Sequence, residues 1–178
     1  DPSVTALANG GFVVTWQTWE GNDDTSGFGV KARVFAADGA PVTGEFLVNT
    51  RTNGDQDEPV VTALVNDGFV ISWASEDGAE GDDYSGIRAK IFADDGTVVV
   101  QEFIAPDVTF AAEHDPQIVA LANGGFILAW SGYANIGGQR SWNIMGHTYA
   151  PNGQSIGWDY ILNDQSVGFQ GNPALAGL

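Results

Sequence analysis

The sequence predicts an all-β fold built from three tandem copies of one four-stranded antiparallel unit. Four prolines, Pro2, Pro59, Pro116 and Pro173, lie 57 residues apart, and the copies between them align without a gap. Short apolar segments alternate with Asn-Gly and Asp-Gly pairs, which supply the positive φ of tight hairpin turns. The 24 glycines and the lack of a sustained helical period argue against helices.

Each copy is predicted to be one structural unit. The predicted units are residues 2–58, 59–115 and 116–172, and residues 173–178 begin a fourth copy. The segment Ala6–Phe12 recurs unchanged as Ala120–Phe126, which fixes this register. The units are expected to form one structural domain or part of a larger one.

The first copy predicts strands at residues 3–7, 11–17, 28–36 and 43–49. Asn9-Gly10 ends the first strand, and Asp38-Gly39 turns the third strand into the fourth. The second strand reads FVVTW, FVISW and FILAW in the three copies, so it is apolar almost throughout. A strand without polar alternation is typical of a sheet covered on both faces.

Four-stranded meanders that are covered on both faces favour β-propeller-like blades, with a β-trefoil or a β-prism as the alternatives. Propellers usually have at least four blades, and three copies therefore leave closure open. A longer natural chain could supply further blades, two chains could self-associate to complete a propeller, or the array could remain open.

The charge of the chain restricts its partners. Six Lys and Arg residues face 23 Asp and Glu residues, which gives a formal net charge of −17. Nucleic acid and anionic membrane surfaces are poor partners for such a chain. The longest apolar stretches span about five residues, so no membrane insertion is expected. The chain has no cysteine and therefore no disulfides.

In a meander the connections alternate ends, so the longer connections of all copies are predicted to share one rim, which holds 15 of the 23 acids. Carboxylates on glycine-containing loops suit Ca²⁺. The metal candidates are Asp23, Asp24, Asp77, Glu80, Asp82 and Asp83. Solvated acidic loops are the alternative. No cofactor other than Ca²⁺ is expected.

The aromatic residues divide into repeated and unrepeated sets. Trp16, Trp73 and Trp130 occupy one position of the repeat and are predicted to be core. The unrepeated residues suit sugar rings, because aromatic faces beside amides and a guanidinium match C–H patches ringed by hydroxyls. The candidate ligand-binding residues are Tyr133, Arg140, Trp142, Trp158 and Trp19. An aromatic plug of the rim, or a contact with a neighbouring module, is the alternative.

Strand three carries Lys31 and Arg33 in the first copy, Arg88 and Lys90 in the second, and Met145 and His147 in the third. Residues two apart in a strand share a face. These side chains are expected to pair with neighbouring acids or to line an exposed outer strand, and a row of anion-binding cations is the alternative.

The repeat also resembles a known family. The pattern Asp-Pro-x-Val-x-Ala-Leu-x-Asn-Gly-Gly-Phe-Val-Val-x-Trp, followed by Val-x-Ala-Arg-Val-Phe and Glu-Phe-x-Val-Asn-Thr, is clearest over residues 1–50. It resembles blade-like repeats of large bacterial secreted proteins of the RTX (hemolysin-type calcium-binding) and adhesin class. The resemblance implies a secreted or cell-surface location. The calcium-binding nonapeptide Gly-Gly-x-Gly-x-Asp is absent, so the resemblance assigns calcium to no residue here.

Three functions are compatible with these observations. The leading expectation is a non-catalytic binding or adhesion module, not an enzyme, that recognises a glycan or a surface protein with Ca²⁺ support. A structural spacer or self-assembling subunit is the first alternative. A polysaccharide-acting propeller hydrolase is the second, because paired carboxylates are abundant although no nucleophile elbow or phosphate loop is present.

Overall fold

The computed structural model describes residues 2–21, 24–65, 67–78, 85–107, 112–136, 139–164 and 168–177. Within these ranges the chain forms β-strands, turns and bends and contains no helix, so no described helix could cross a membrane. Twelve strands form three four-stranded antiparallel sheets, each with its strands in sequence order. We refer to these sheets as blades one, two and three.

The strand bounds follow the 57-residue register. Blade one contains β1 (Ser3–Ala6), β2 (Phe12–Gly21), β3 (Asp24–Phe35) and β4 (Phe46–Leu47). Blade two contains β5 (Gln56–Leu64), β6 (Gly68–Ser75), β7 (Gly86–Ala93) and β8 (Val98–Ile104). Blade three contains β9 (Glu113–Ala120), β10 (Phe126–Ile136), β11 (Gln139–Tyr149) and β12 (Ser155–Ile161). The all-β prediction of three four-stranded meanders is confirmed.

Two connections differ from the predicted loops. The second and third strands of blade one continue pairing as far as Gly21 and Asp24, and those of blade three as far as Ile136 and Gln139. Inter-strand hydrogen bonds therefore extend into segments that polar and glycine residues had marked as loops. The fourth strand of blade one is shorter than predicted, because its continuous ladder with β3 covers Phe46 and Leu47, with an isolated bridge between Pro41 and Phe35.

A repeated aromatic pair joins the second and third strand of every blade. Phe12 stacks on Phe35, Phe69 on Phe92, and Phe126 on Tyr149, with ring centroids 4.8, 5.1 and 5.0 Å apart. Each pair is also directly opposite in strand register. The aromatic repeats of the sequence are thus cross-strand pairs, which stabilise the sheet beyond the area that they bury.

The hydrophobic core lies between blades. One cluster, which includes Trp73, fills the space between blades one and two. A second, which includes Trp130, fills the space between blades two and three. Both tryptophans are at most 1 % exposed, as the sequence predicted for core residues. Trp16 holds the same position in blade one but is only half-buried, because in the described chain no blade covers that face.

The first strands of successive blades lie side by side. Ser3 and Thr5 in β1 accept hydrogen bonds from the backbone N–H groups of Val61 and Ala63 in β5. In turn Thr62 of β5 donates to the carbonyl of Ile118 in β9. These inner strands bring the starts of the three repeats together at one place in the molecule.

Candidate functional site

A cavity of about 400 Å³ lies where the inner strands begin. Residues at equivalent positions of the repeat surround it, namely the four prolines and the residue that precedes three of them. Those lining residues are Pro2, Pro59, Pro116, Pro173, Glu58, Asp115 and Asn172. Two carboxylates and one amide therefore meet beside the inner strands, although they are 57 residues apart in sequence.

The backbone aims these side chains into the cavity. Glu58, Asp115 and Asn172 all have left-handed φ, at 51°, 56° and 56°. The pairing of β5 with β6 slips between Asp57 and Val60, and β9 has the same irregularity beside Asp115. Bulges of this kind re-aim a side chain and are frequent next to active sites. A non-glycine residue with positive φ is costly and clusters at functional sites.

The backbone N–H of each of these three residues donates a hydrogen bond that supports the left-handed conformation. Gln17 Oε1 accepts from Glu58 N at 3.4 Å, and Ser131 Oγ accepts from Asn172 N at 2.9 Å. Gln17 and Ser131 hold equivalent positions of the repeat, where blade two has Ala74. Because alanine offers no acceptor, the Glu58 carboxylate accepts from Asp115 N instead, at 2.7 Å. This bond ties the two acids to each other.

Further donors hold Asp115 in place. Ser131 Oγ donates to Asp115 Oδ2 at 3.0 Å. The Asn172 amide, oriented with its nitrogen toward the carboxylate, donates to both Asp115 oxygens at 3.2 Å. Hydroxyl and amide donors on a carboxylate fix its orientation. Asp115 is accordingly a positioned carboxylate at the cavity wall.

Asp57 directly precedes Glu58 in β5 and is half-buried. Burial raises the pKa of this carboxyl to about 6, helped by the nearby charges of Glu58, Glu76 and Asp55 and opposed by His114. A carboxyl with this pKa holds its proton closer to neutral pH than an ordinary aspartate does. Asp57 is therefore suited to donate a proton, beside carboxylates that can accept one.

An aromatic cluster adjoins the acids. The Trp142 ring lies 5.9 Å from His114, 6.0 Å from Tyr133 and 5.9 Å from Phe169. His114 directly precedes Asp115, and its Nε2 is 3.1 Å from Ser85 Oγ. Because Tyr133 is 42 % exposed and Trp142 is half-buried, the cluster presents aromatic surface to solvent near the cavity.

Among the predicted ligand-binding residues whose side chains the structure describes, Tyr133 and Trp142 lie together. Tyr133 and Trp142 are opposite each other on β10 and β11. Trp19 packs edge-on against Phe28 in blade one, and Trp158 lies on the outer strand β12 and is 80 % exposed. Among the described ring contacts, none joins Trp19 or Trp158 to Trp142. Arg140 pairs with Asn135 in the ladder, and its side chain lies outside the described residues.

Most of the predicted calcium ligands lie outside the described part of the chain. This holds for Asp23, Glu80, Asp82 and Asp83, and for the side chain of Asp24. Asp77 is described, and its carboxylate lies 2.7 Å from Arg88 and 3.4 Å from Arg51. Arg88 also reaches Glu102 at 3.3 Å, which is the kind of pairing expected for the strand-three cations. The calcium site stays a prediction.

Asp57, Glu58 and Asp115 are among the 15 acids of the predicted rim, but they were not predicted to pair with one another. A signal was present, since Glu58 and Asp115 each directly precede a repeat proline. Equivalent positions of stacked repeats lie next to one another, so acids at one repeat position converge. The bulge that turns them into the cavity depends on tertiary pairing and left no signal in the sequence.

No family model and no curated protein matches this chain. Solved structures do match it. One is the endo-arabinase of Bacteroides thetaiotaomicron, with TM-score 0.53 and 14 % identity over 92 % of this chain and 61 % of that one. Another is a thermostable family-43 glycoside hydrolase, with TM-score 0.57 and 14 % identity over 94 % of this chain and 53 % of that one. At this identity the likeness establishes the fold, and the blades are β-propeller-like.

These structural neighbours contradict the leading functional expectation. A non-catalytic binding or adhesion module, and the absence of enzyme activity, were expected because no catalytic constellation was visible in the sequence. The neighbours are glycoside hydrolases and favour the second alternative, a polysaccharide-acting propeller hydrolase. The constellation was not visible in the sequence because Asp115 belongs to blade three whereas Asp57 and Glu58 belong to blade two, and only the stacking of blades brings Asp115 to Glu58. The chain spans just over half the length of each neighbour.

Proposed function

We propose that this chain contributes to a glycoside hydrolase that acts on a polysaccharide. The observation that carries the proposal is the convergence of Glu58 and Asp115 on a cavity of about 400 Å³, with the Asp57 carboxyl, whose pKa is raised, directly before Glu58 in β5. Glycosidic bonds are commonly cleaved by two carboxyl groups, one protonated and one ionised, on either side of the scissile bond. The named activity of the structural neighbours supports the same reaction class.

The three acids would take different roles in the reaction because their surroundings differ. Asp57, with its pKa raised to about 6, would protonate the leaving oxygen. The cavity-lining pair Glu58 and Asp115 would supply the second carboxylate, which activates water or attacks the sugar. Tyr133 and Trp142 would stack on sugar rings beside the bond to be cleaved.

A secreted or cell-surface location belongs to this proposal, because polysaccharide substrates are extracellular. The resemblance to repeats of RTX proteins supports such export without assigning this chain to that family. The acidic surface of the chain, with a net charge of −17, suits a neutral or cationic polysaccharide better than an anionic one.

The test is hydrolysis of a polysaccharide panel, measured as new reducing ends. The panel begins with linear arabinan, which the name of one neighbour suggests, and includes xylan and a β-glucan. We expect Asp57→Asn, Glu58→Gln and Asp115→Asn to lower the rate on the cleaved polymer. General acid catalysis contributes about 10²–10⁴-fold, so at least a hundredfold loss is expected for Asp57→Asn.

Glu45→Gln is the matched control, because Glu45 is an exposed acid in the turn region between β3 and β4. It should keep the full rate. The proposal fails if the wild-type chain releases no reducing ends from any polymer. It fails equally if the Asp57, Glu58 and Asp115 variants all cleave as fast as Glu45→Gln.

A further inference from the structure

A second cluster of ionisable groups lies between blades two and three, apart from the cavity. His147 in β11 is fully buried, and its Nδ1 lies 2.8 Å from Asp159 Oδ1 and 3.4 Å from Asp107 Oδ2. Its other ring nitrogen, Nε2, lies 2.7 Å from Ser155 Oγ. One imidazole nitrogen and two carboxylate oxygens thus converge on one point, with the three ligand atoms within 4.8 Å of one another.

The backbone holds both carboxylates in place. Asp107 N donates to Asp159 Oδ2 at 2.9 Å, and Asp159 N donates to Asp107 Oδ2 at 3.1 Å. Asp159 belongs to β12 of blade three, and Asp107 follows β8 of blade two. This reciprocal pair therefore links two blades and leaves Asp159 Oδ1 facing the imidazole.

The corresponding residues of the preceding repeat form a different set of contacts. There Lys90 Nζ donates to the Val48 carbonyl at 2.9 Å and contacts Thr50 Oγ1 at 3.2 Å. Thr50 N donates to Glu102 at 2.5 Å, as Asp107 N does to Asp159. Lys90, Thr50 and Glu102 correspond in the repeat to His147, Asp107 and Asp159.

The charge balance differs between the two places. The earlier site has one permanent cation, Lys90, and one carboxylate, Glu102. The later site has two carboxylates and an imidazole, which carries a charge only when it is protonated. The neighbouring Arg88, which also pairs with Glu102, is replaced by Met145 in blade three. Half-buried carboxylates without a permanent cation are unfavourable, so a bound cation would stabilise the later site.

We propose that His147, Asp107 and Asp159 bind a divalent transition-metal ion of the Zn²⁺ type, which fastens blade three to blade two. Tetrahedral zinc sites take imidazole and carboxylate ligands at about 2.0–2.2 Å, which places ligand atoms about 3.4 Å apart. The 3.4 Å from Nδ1 to Asp107 matches that value, whereas the 2.8 Å from Nδ1 to Asp159 is a hydrogen-bond distance and would lengthen when an ion replaces the shared proton.

The surroundings also suit a metal. Metal-binding histidines usually engage their second ring nitrogen in a hydrogen bond that fixes the tautomer, and Ser155 Oγ provides that bond. The side chain of Asp107 is 24 % exposed, so the ion has a route in and a solvent molecule can complete its coordination. The ion would replace a proton between Nδ1 and the carboxylates, so binding should weaken as pH falls. This site shares no residue with the predicted calcium ligands.

The test uses Co²⁺ as a spectroscopic probe on chelator-treated full chain. We expect visible absorption bands typical of tetrahedral Co²⁺ at one equivalent, displaced by Zn²⁺, and a melting temperature that rises with Zn²⁺ concentration. The matched variant is His147→Lys with Asp107→Thr, which restores the residues of the preceding repeat. It should fold without metal, show no bands, and bind Zn²⁺ at least about a hundredfold more weakly.

If the double variant does not fold, the single variant Asp107→Thr provides a second test. It removes one ligand, and its affinity for Co²⁺ should fall by about tenfold or more. Equal Co²⁺ or Zn²⁺ binding by wild type and variants would overturn the proposal by placing the ion elsewhere, such as in the acidic connections. Absence of any Co²⁺ or Zn²⁺ binding at millimolar concentration would overturn it too, and would leave a hydrogen-bonded His–Asp network.

Discussion

At the scale of single residues, the environment of Asp57 separates it from the other acids of the rim. Its carboxyl is half-buried beside Glu58, and the surrounding charges are mostly negative. These conditions favour the protonated form and raise the pKa from 3.8 to about 6. A carboxyl group with a raised pKa lowers the free energy of unfolding at neutral pH. Such groups are frequent at functional sites.

The first residue-scale prediction concerns Asp57→Asn and pH. Because the folded-state pKa lies above the unfolded value, the native state binds more protons between about pH 4 and 6, and the wild type loses stability as pH rises through that window. Asparagine cannot ionise. We therefore expect Asp57→Asn to match the wild type at pH 4 and to be more stable at pH 8.

Urea unfolding of both proteins at pH 4, 6 and 8 provides the measurement. Asp115→Asn serves as the comparison, since it removes a carboxylate that Ser131 and Asn172 stabilise. That variant should not gain stability at pH 8. A wild type that is as stable as Asp57→Asn at pH 8 would contradict the assignment of a raised pKa.

At the scale of elements, the tight hairpins between the first two strands show how one turn is built from different residues. Gly10 and Gly124 occupy the left-handed position of this turn in blades one and three, with φ of 85° and 89°. Blade two has Asp67 there, with φ of 60°. Glycine adopts positive φ without a steric penalty, whereas a residue with a Cβ pays for it. The turn of blade two is therefore the strained one.

We predict that Asp67→Gly stabilises the protein by about 0.5–1 kcal/mol. The reverse change, Gly10→Asp, should destabilise it by a similar amount, although Gly10 has room for a side chain because an added Cβ would lie 3.5 Å from Ala37. Chemical denaturation of both variants measures the two effects. Shifts of the same sign would show that backbone conformation does not control these turns.

At the scale of the whole molecule, stacking places a hydrophobic core in each of two blade interfaces and leaves outer faces without a described partner. Phe69, Ile71 and Trp73 of blade two pack against blade one. The equivalent face of blade one, which carries Phe12 and Trp16, is half-buried. In a stacked array, the stability of each unit depends on its neighbours. Tryptophans at the same position of the repeat should therefore contribute unequally to the free energy of unfolding.

We predict that Trp73→Ala costs about 3–5 kcal/mol of unfolding free energy and that Trp16→Ala costs clearly less. The reason is that Trp73 is fully buried between two blades, whereas Trp16 keeps contact with solvent. Denaturation should be performed at a concentration where sedimentation shows a single chain. Equal costs in the single chain would contradict the prediction, because Trp16 would then contribute as much as a tryptophan buried between two blades.

The sequence by itself determined the number of repeats, their 57-residue register and their strand content. These follow from local chemistry, because Asn-Gly and Asp-Gly turns and apolar second strands act over a few residues. It also indicated that Trp73 and Trp130 are core and that strand-three cations such as Arg88 pair with acids. The ends of the strands were predicted less accurately, because the pairing of β2 with β3 continues past the polar residues that were expected to form a loop.

Only the tertiary structure decided which acids lie together. Asp57 and Glu58 end the first repeat and Asp115 ends the second, and a bulge with left-handed backbone turns Glu58 and Asp115 into one cavity. His147 meets Asp107 and Asp159 for the same reason, across the junction of two blades. Strand formation depends on near neighbours in the chain, whereas both sites depend on how blades stack. The physical cause is the burial of apolar faces between blades, which sets distances that no local pattern encodes.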